Sequence, residues 1–140
     1  MIVTVVKVDQ PAIRDSVKHS INVLGDECNL NFIDTELITN MKCMFEYSEF
    51  NGDISGWDVG NVTDMHSMFY NSKFNGDISN WNVGNVTNMR YMFDTSKFNG
   101  DISNWDVRNV TRISSMFYGC PLENRPEFQP KLFQPKFNKE

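Results

Sequence analysis

Apolar positions in this chain recur in blocks. From Phe50 to Pro121, three blocks of 24 residues align without gaps: FNGDISGWDVGNVTDMHSMFYNSK, FNGDISNWNVGNVTNMRYMFDTSK and FNGDISNWDVRNVTRISSMFYGCP. A degenerate copy at 29–49 precedes them. Its Ile38, Thr39, Met41, Met44 and Phe45 fall 24 residues before Val62, Thr63, Met65, Met68 and Phe69. Within a block, Asn-Gly predicts a turn, because both residues tolerate φ > 0. Trp57 and Val59 then alternate with polar Asp58, and with Ile54 they predict a short strand. Thr63 predicts a helix cap, and Val62, Met65, Met68 and Phe69 would share one face of a short helix. A unit this small cannot bury its own apolar face, so the blocks are expected to stack around one continuous core.

The flanks read differently. Ile2–Val8 alternates like a strand. Asp9-Gln10-Pro11 reads as a helix start, Ile13, Val17, Ile21 and Leu24 as its apolar stripe, and Gly25 as its C-cap. After the blocks, Pro121, Pro126, Pro130 and Pro135 exclude a long helix, while Phe128, Phe133 and Phe137 offer apolar cover. The ends of a stack expose core and need caps. The expected organisation is therefore an N-terminal strand–helix cap at 1–28, the array at 29–121 (29–49 degenerate, then 50–73, 74–97 and 98–121), and a C-terminal cap and tail at 122–140.

The string Ile54-x-x-Trp57-x-Val59-x-Asn61 resembles the leucine-rich-repeat core L-x-x-L-x-L-x-x-N, with Asn one place early and Trp in the middle slot. The longer string FNGDISxWDVxNVTxMxxMF more closely resembles the BspA-like bacterial surface repeat, a family abundant in host-associated bacteria and some protists. Cys120-Pro121 followed by the Pro-rich Pro126–Phe137 is similar to the way such arrays close. The resemblance covers roughly 29–137 and implies a leucine-rich-repeat-like solenoid used for protein binding or adhesion. The expected fold class is thus α/β: a short right-handed leucine-rich-repeat-like solenoid of about 3.5–4 repeats, each a short strand plus a short helix, with a strand–helix cap and a Pro-rich cap.

Composition adds exclusions. The chain has 140 residues, 13 Lys and Arg against 18 Asp and Glu, with 11 Phe, 8 Met and 3 Trp. An acidic chain is a poor ligand for a nucleic-acid backbone or an anionic membrane. No apolar run is long enough to span a bilayer. MIVTVVKVDQ lacks the basic start of a secretory signal. Cys28, Cys43 and Cys120 cannot all pair within the chain, so a reducing, cytoplasmic location is expected unless an export signal has been removed. The charge is uneven: residues 26–120 carry 13 acidic and 6 basic side chains. Such a body would speed encounter with a basic partner.

Candidate chemistry is sparse. His19 and His66 are isolated, and no phosphate loop, Cys-x-x-Cys pair or nucleophile elbow is present. No enzymatic activity, cofactor or metal site is expected. Asp53, Asp77 and Asp101 read as turn caps in preference to a calcium ladder, whose ligands would be too few per turn. Asn61, Asn85 and Asn109 begin formal glycosylation sequons and read better as an inward ladder satisfying backbone groups. Trp57, Trp81, Trp105, Met68, Met92, Met116, Phe69, Phe93 and Phe117 are the expected core.

Candidate binding residues are those the array does not hold constant, or that flank the strand core. One row is Asp34, Asp58, Asn82 and Asp106; a parallel row includes Glu36, Gly60, Gly84 and Arg108. Elsewhere Tyr70, Arg90, Tyr91 and Tyr118 are typical interface anchors. The leading expectation is a non-enzymatic protein–protein interaction module, binding a partner through a repeated, mostly acidic face without direct contact to nucleic acid or membrane. A basic nucleic-acid-binding protein is one partner of that kind. Two alternatives stand beside it: a phage or mobile-element inhibitor of a host nucleic-acid-binding defence complex, of the anti-CRISPR type, and a fragment of a surface adhesin. The sequence does not set the oligomeric state.

Overall fold

The computed structural model describes residues 4–134. Its regular elements are few: strand β1 at Val6–Lys7, helix α1 at Ile13–Leu24 and strand β2 at Ile33–Asp34. β1 and β2 run parallel, pairing Val6 with Ile33 and Lys7 with Asp34. Three short 3₁₀ turns follow the array at Pro121–Asn124, Pro126–Phe128 and Lys131–Phe133. Proline at the first position of the first two suits them, since the lost N–H would have been unpaired there. Pro135 and Phe137 lie outside the described residues.

This overturns the leucine-rich-repeat-like α/β solenoid. Blocks 50–73, 74–97 and 98–121 contain neither a strand nor a helix. Each block is instead a coil of successive turns. The reason lies in the backbone. Cys43, Ser67, Tyr91 and Ser115 have φ of 54–58°, and Tyr47, Asn71 and Thr95 have φ of 50–58°. Gly119 completes the second column at φ 68°. A left-handed residue at every fourth position breaks a right-handed helix at each turn.

The freed backbone groups divide their bonds by parity. In the second coil, Met68, Tyr70 and Ser72 donate back to Met65, Ser67 and Phe69 and close the local turns. The intervening N–H groups of Met65, Ser67, Phe69 and Asn71 donate forward to the carbonyls of Asn88, Arg90, Met92 and Asp94 in the next coil, all at 2.9 Å. The same pattern joins 41–47 to 64–70 and 89–95 to 112–118. A helix would have kept these bonds within one coil; here they hold adjacent coils in register.

The expected strand also gives way to turns. Ile54, Trp57, Val59 and Val62 are buried, but Trp57 N–H donates to Ile54 and Val62 N–H to Val59. The Asn-Gly pairs do not use φ > 0. Gly52 is required by close approach: a Cβ there would lie 1.9 Å from the Cys28 carbonyl oxygen and 2.6 Å from the Phe50 ring.

Side chains repeat along the stack as the backbone does. The rings of Phe45, Phe69, Phe93 and Phe117 are near-parallel, with centroids 5.5, 5.5 and 6.1 Å apart. Trp57, Trp81, Trp105, Met68, Met92, Met116, Phe69 and Phe93 are buried, and Phe117 is half-buried. Such burial is the main source of stability.

At the N-terminal end, α1 lays Ile13 and Val17 into the core, while Leu24 is exposed. Gly25 N–H donates to the Ile21 carbonyl and ends the helix. The Arg14 guanidinium donates to the carbonyls of Lys42 and Cys43. Gln10 donates to the Asn40 carbonyl and accepts from the N–H groups of Thr39 and Asn40. These two side chains thus satisfy the Asn40 and Lys42 carbonyls, whose counterparts at Asp64 and His66 accept from the preceding coil.

Candidate functional site

The candidate residues fall at two separate corners of the coil. At the first, Asp34, Asp58, Asn82 and Asp106 each use Oδ1 to accept the N–H two residues on, from Glu36, Gly60, Gly84 and Arg108, at 2.9–3.2 Å. The row is Asp or Asn in every coil because that side chain closes this turn. The carbonyls of Glu36, Gly60 and Gly84 accept from Asn61, Asn85 and Asn109 Nδ2 of the following coil at 2.6–2.7 Å. The sequon asparagines therefore bind backbone, but they are exposed and do not point inward.

Charge along this row is largely paired. Lys7 Nζ lies 2.6 Å from Glu36 and 3.7 Å from Asp34. The guanidinium of Arg108 lies 2.8 Å from Asp106. Asn82 is neutral. Asp58 is the one carboxylate of the row without a basic partner among the described residues. Exposed pairs of this kind contribute little to stability, yet they remove the field that an acidic face would offer a partner.

Asp53, Asp77 and Asp101 each accept the N–H of the serine two residues on at 2.9–3.0 Å, and Asp53 and Asp77 also accept its hydroxyl at 2.7 Å. Those bonds, the hydroxyl's first, hold all three carboxyls below the usual range. They serve the turn. Among the described residues, no group of three His, Cys, Asp or Glu side chains converges to hold a metal.

The second corner gathers aromatic side chains. Tyr47, Tyr70 and Tyr91, from three successive coils, line a cleft of about 320 Å³ with Glu46 and Ser67. Tyr47 meets Tyr70 edge to face at 5.4 Å, and His66 meets Tyr91 in the same way at 5.6 Å. Arg90 Cζ lies 6.0 Å from the Tyr91 ring centroid, and its buried Nε has no hydrogen-bond partner among the described residues. Tyr118 continues the Tyr70 column and is 63% exposed. Tyr70 is held above the usual phenol range, first by its hydrogen bond with Tyr47, with Asp94 and Glu46 adding negative charge nearby. Asp94 is buried, which raises its carboxyl above the usual range.

The structure thus brings Tyr70, Arg90 and Tyr91 together. Asp34, Asp58, Asn82, Asp106, Glu36 and Arg108 sit at the other corner, committed to turns or ion pairs. Tyr47, Glu46 and Ser67 belong to the cleft and are not singled out by the sequence; His66 packs against Tyr91 beside it. The signal was present: Tyr47 departs from Asn71, Thr95 and Gly119 in its own column. Phenols lining an open cleft, with a guanidinium and an imidazole beside Tyr91, suit recognition of protein side chains. The three cysteines are free. Cys43 is pushed up to about 11, mainly by burial and then by Glu46, which makes it a poor nucleophile.

No described helix is long and apolar enough to cross a membrane. A protein-family model matches residues 17–128, and the family is described as Mycoplasma protein of unknown function, DUF285. No curated protein and no solved structure matches the chain.

Proposed function

We propose that this chain, which belongs to the DUF285 family of Mycoplasma proteins of unknown function, is a non-enzymatic protein-binding module of the BspA-like repeat kind. It works by preorganisation. Successive coils are locked by backbone hydrogen bonds, so little freedom is lost when a partner docks. The observation that carries this reading is the tyrosine cleft, where three coils contribute Tyr47, Tyr70 and Tyr91 to one recess. The acidic row supports it less, since Lys7 and Arg108 neutralise much of that row.

The test places a photo-crosslinking residue at exposed Tyr47 in the full chain and compares capture from the source cell across three backgrounds. A partner retained by Asp58→Asn and lost by Tyr70→Ala and Tyr91→Ala supports the reading. A partner retained by both tyrosine variants, each shown to be folded, would move the interface elsewhere. The family's bacterial context and the repeat resemblance favour a surface adhesin as the second reading. Capture of a host-surface protein, in place of one from the same cell, would favour it.

A further inference from the structure

The two ends of the coil ladder are chemically different. At the N-terminal end, Gln10 and Arg14 occupy the carbonyls of Asn40 and Lys42. At the C-terminal end, the N–H groups of Ile113, Ser115 and Phe117 correspond to those of Met89, Tyr91 and Phe93, which donate forward to Arg112, Ser114 and Met116. Among the described residues nothing accepts from these three N–H groups, and residues 111–115 are exposed. The 3₁₀ segment covers another part of this coil: Phe128 accepts from Ile102 N–H, and Arg125 reaches Asn99. Phe117 stacks on Phe93 and has no further stacked ring beyond it among the described residues. Ile113 is 43% exposed where Met65 and Met89 are fully buried.

This edge presents the three N–H donors and one carbonyl, that of Thr111, whose counterparts Thr39, Thr63 and Thr87 accept from the next coil. The carbonyls of residues 112, 114, 116 and 118 are taken by the preceding coil, and those of Ile113, Ser115 and Phe117 by local turns. Two such edges are poorly matched to each other, because three of their four free groups are donors. A second copy stacked head to tail would set Ile113 and Ser115 against the Asn40 and Lys42 carbonyls, already held by Gln10 and Arg14. That cap works against open-ended polymerisation of identical chains.

We infer that the open edge at Ile113, Ser115 and Phe117 is a docking surface for one more coil of this repeat type, donated by a different chain whose first coil lacks such a cap. The edge continues the interface already formed between successive coils. A docked coil supplies three main-chain carbonyls and places its Met and Phe on Ile113 and Phe117. Charge agrees. Arg112 is exposed where the other coils carry Asn40, Asp64 and Asn88, whose side chains close a turn. A coil such as 50–73, with Asp53, Asp58 and Asp64 against Lys73, would bring Asp64 onto Arg112 in register. This surface is separate from the tyrosine cleft, and either can fail without the other.

The experiment titrates the full chain with a synthetic peptide of residues 50–73, followed by calorimetry and by amide NMR. The expected result is saturable binding with the largest shifts at Ile113, Ser115 and Phe117. Ile113→Pro removes one donor without removing an internal hydrogen bond and weakens binding about ten-fold. Arg112→Glu weakens it as well, and the amide spectrum of each variant reports its folding. Absence of binding, or shifts confined to the tyrosine cleft or to α1, would overturn the inference. A chain ending at Gln134 is expected to bind equally well; tighter binding by it would assign the edge to residues 135–140 and overturn docking by a separate chain.

Discussion

The indole Nε1–H of Trp81 donates to the carbonyl of Ile54, one coil back, at 3.1 Å. Trp57 and Trp105 make the same bond to Leu30 and Ile78 at 3.0 Å. Tryptophan is therefore needed at this position for a donor as well as for volume. Trp81→Phe keeps most of the ring and removes one of the two hydrogen bonds at the Ile54 carbonyl, which still accepts from Trp57 N–H, so it should cost about 1 kcal/mol. Trp81→Ala should cost about 3–5 kcal/mol. Urea denaturation of both variants checks the order, and a Phe variant as stable as the parent would show that the bond contributes nothing.

Arg14 acts at a distance in sequence, from helix α1 onto the carbonyls of Lys42 and Cys43. Arg14→Ala should destabilise the chain by roughly 1–2 kcal/mol, because exposed carbonyls regain water in part. It should also free the N-terminal edge. Sedimentation velocity is expected to show concentration-dependent association in the variant and none in the parent.

Thr95 is β-branched and holds φ 55°. A residue of that shape is strained there. Thr95→Asn should stabilise by about 1 kcal/mol, since Asn tolerates the left-handed region better. A lower thermal midpoint in the variant would mean that the Thr95 hydroxyl, bonded to the Asp94 carbonyl at 2.7 Å, outweighs the strain.

The helix was misread for a physical reason visible in this column. Apolar residues spaced by three and four satisfy a helix, and they equally satisfy a turn that repeats every four residues. Of the left-handed residues, only Asn71 and Gly119 advertise that conformation; Ser67, Tyr91 and Ser115 do not. The period, the buried tryptophans and the start of α1 were legible because they depend on burial and local capping. The cleft was only half legible. Tyr70 and Tyr91 stood out as variable aromatics, but their meeting with Tyr47 depends on the coil path. The acidic row was legible as a row, and its pairing with Lys7 was not.

Asp58 separates charge from turn closure. Asp58→Asn keeps the acceptor for Gly60 N–H and should leave stability unchanged. Asp58→Lys removes that acceptor and should cost about 1 kcal/mol. Equal thermal midpoints for the two variants would show that the Asp58 turn bond has no energetic role.

The acid limb of stability follows from opposite shifts. Asp53, Asp77 and Asp101 are held below their ordinary value of 3.8. Their contribution is present above that value and is lost as pH falls through their folded pKa values. Asp94 is raised, so its charged form is disfavoured in the fold, and protonation restores stability as pH falls. Asp94→Asn should raise the melting temperature at pH 7, with the gain shrinking toward pH 4. A gain independent of pH would exclude the buried charge as its cause.

The central claim is a stack of turns joined by alternate backbone bonds, and residue-resolved amide hydrogen exchange tests it most directly. In the full chain, Met65, Ser67, Phe69 and Asn71 and their counterparts Met89, Tyr91, Phe93 and Thr95 should be strongly protected, while Ile113 and Ser115 exchange freely. Free exchange at Met65, Ser67, Phe69 and Asn71, or exchange at Ile113 and Ser115 as slow as theirs, would contradict it.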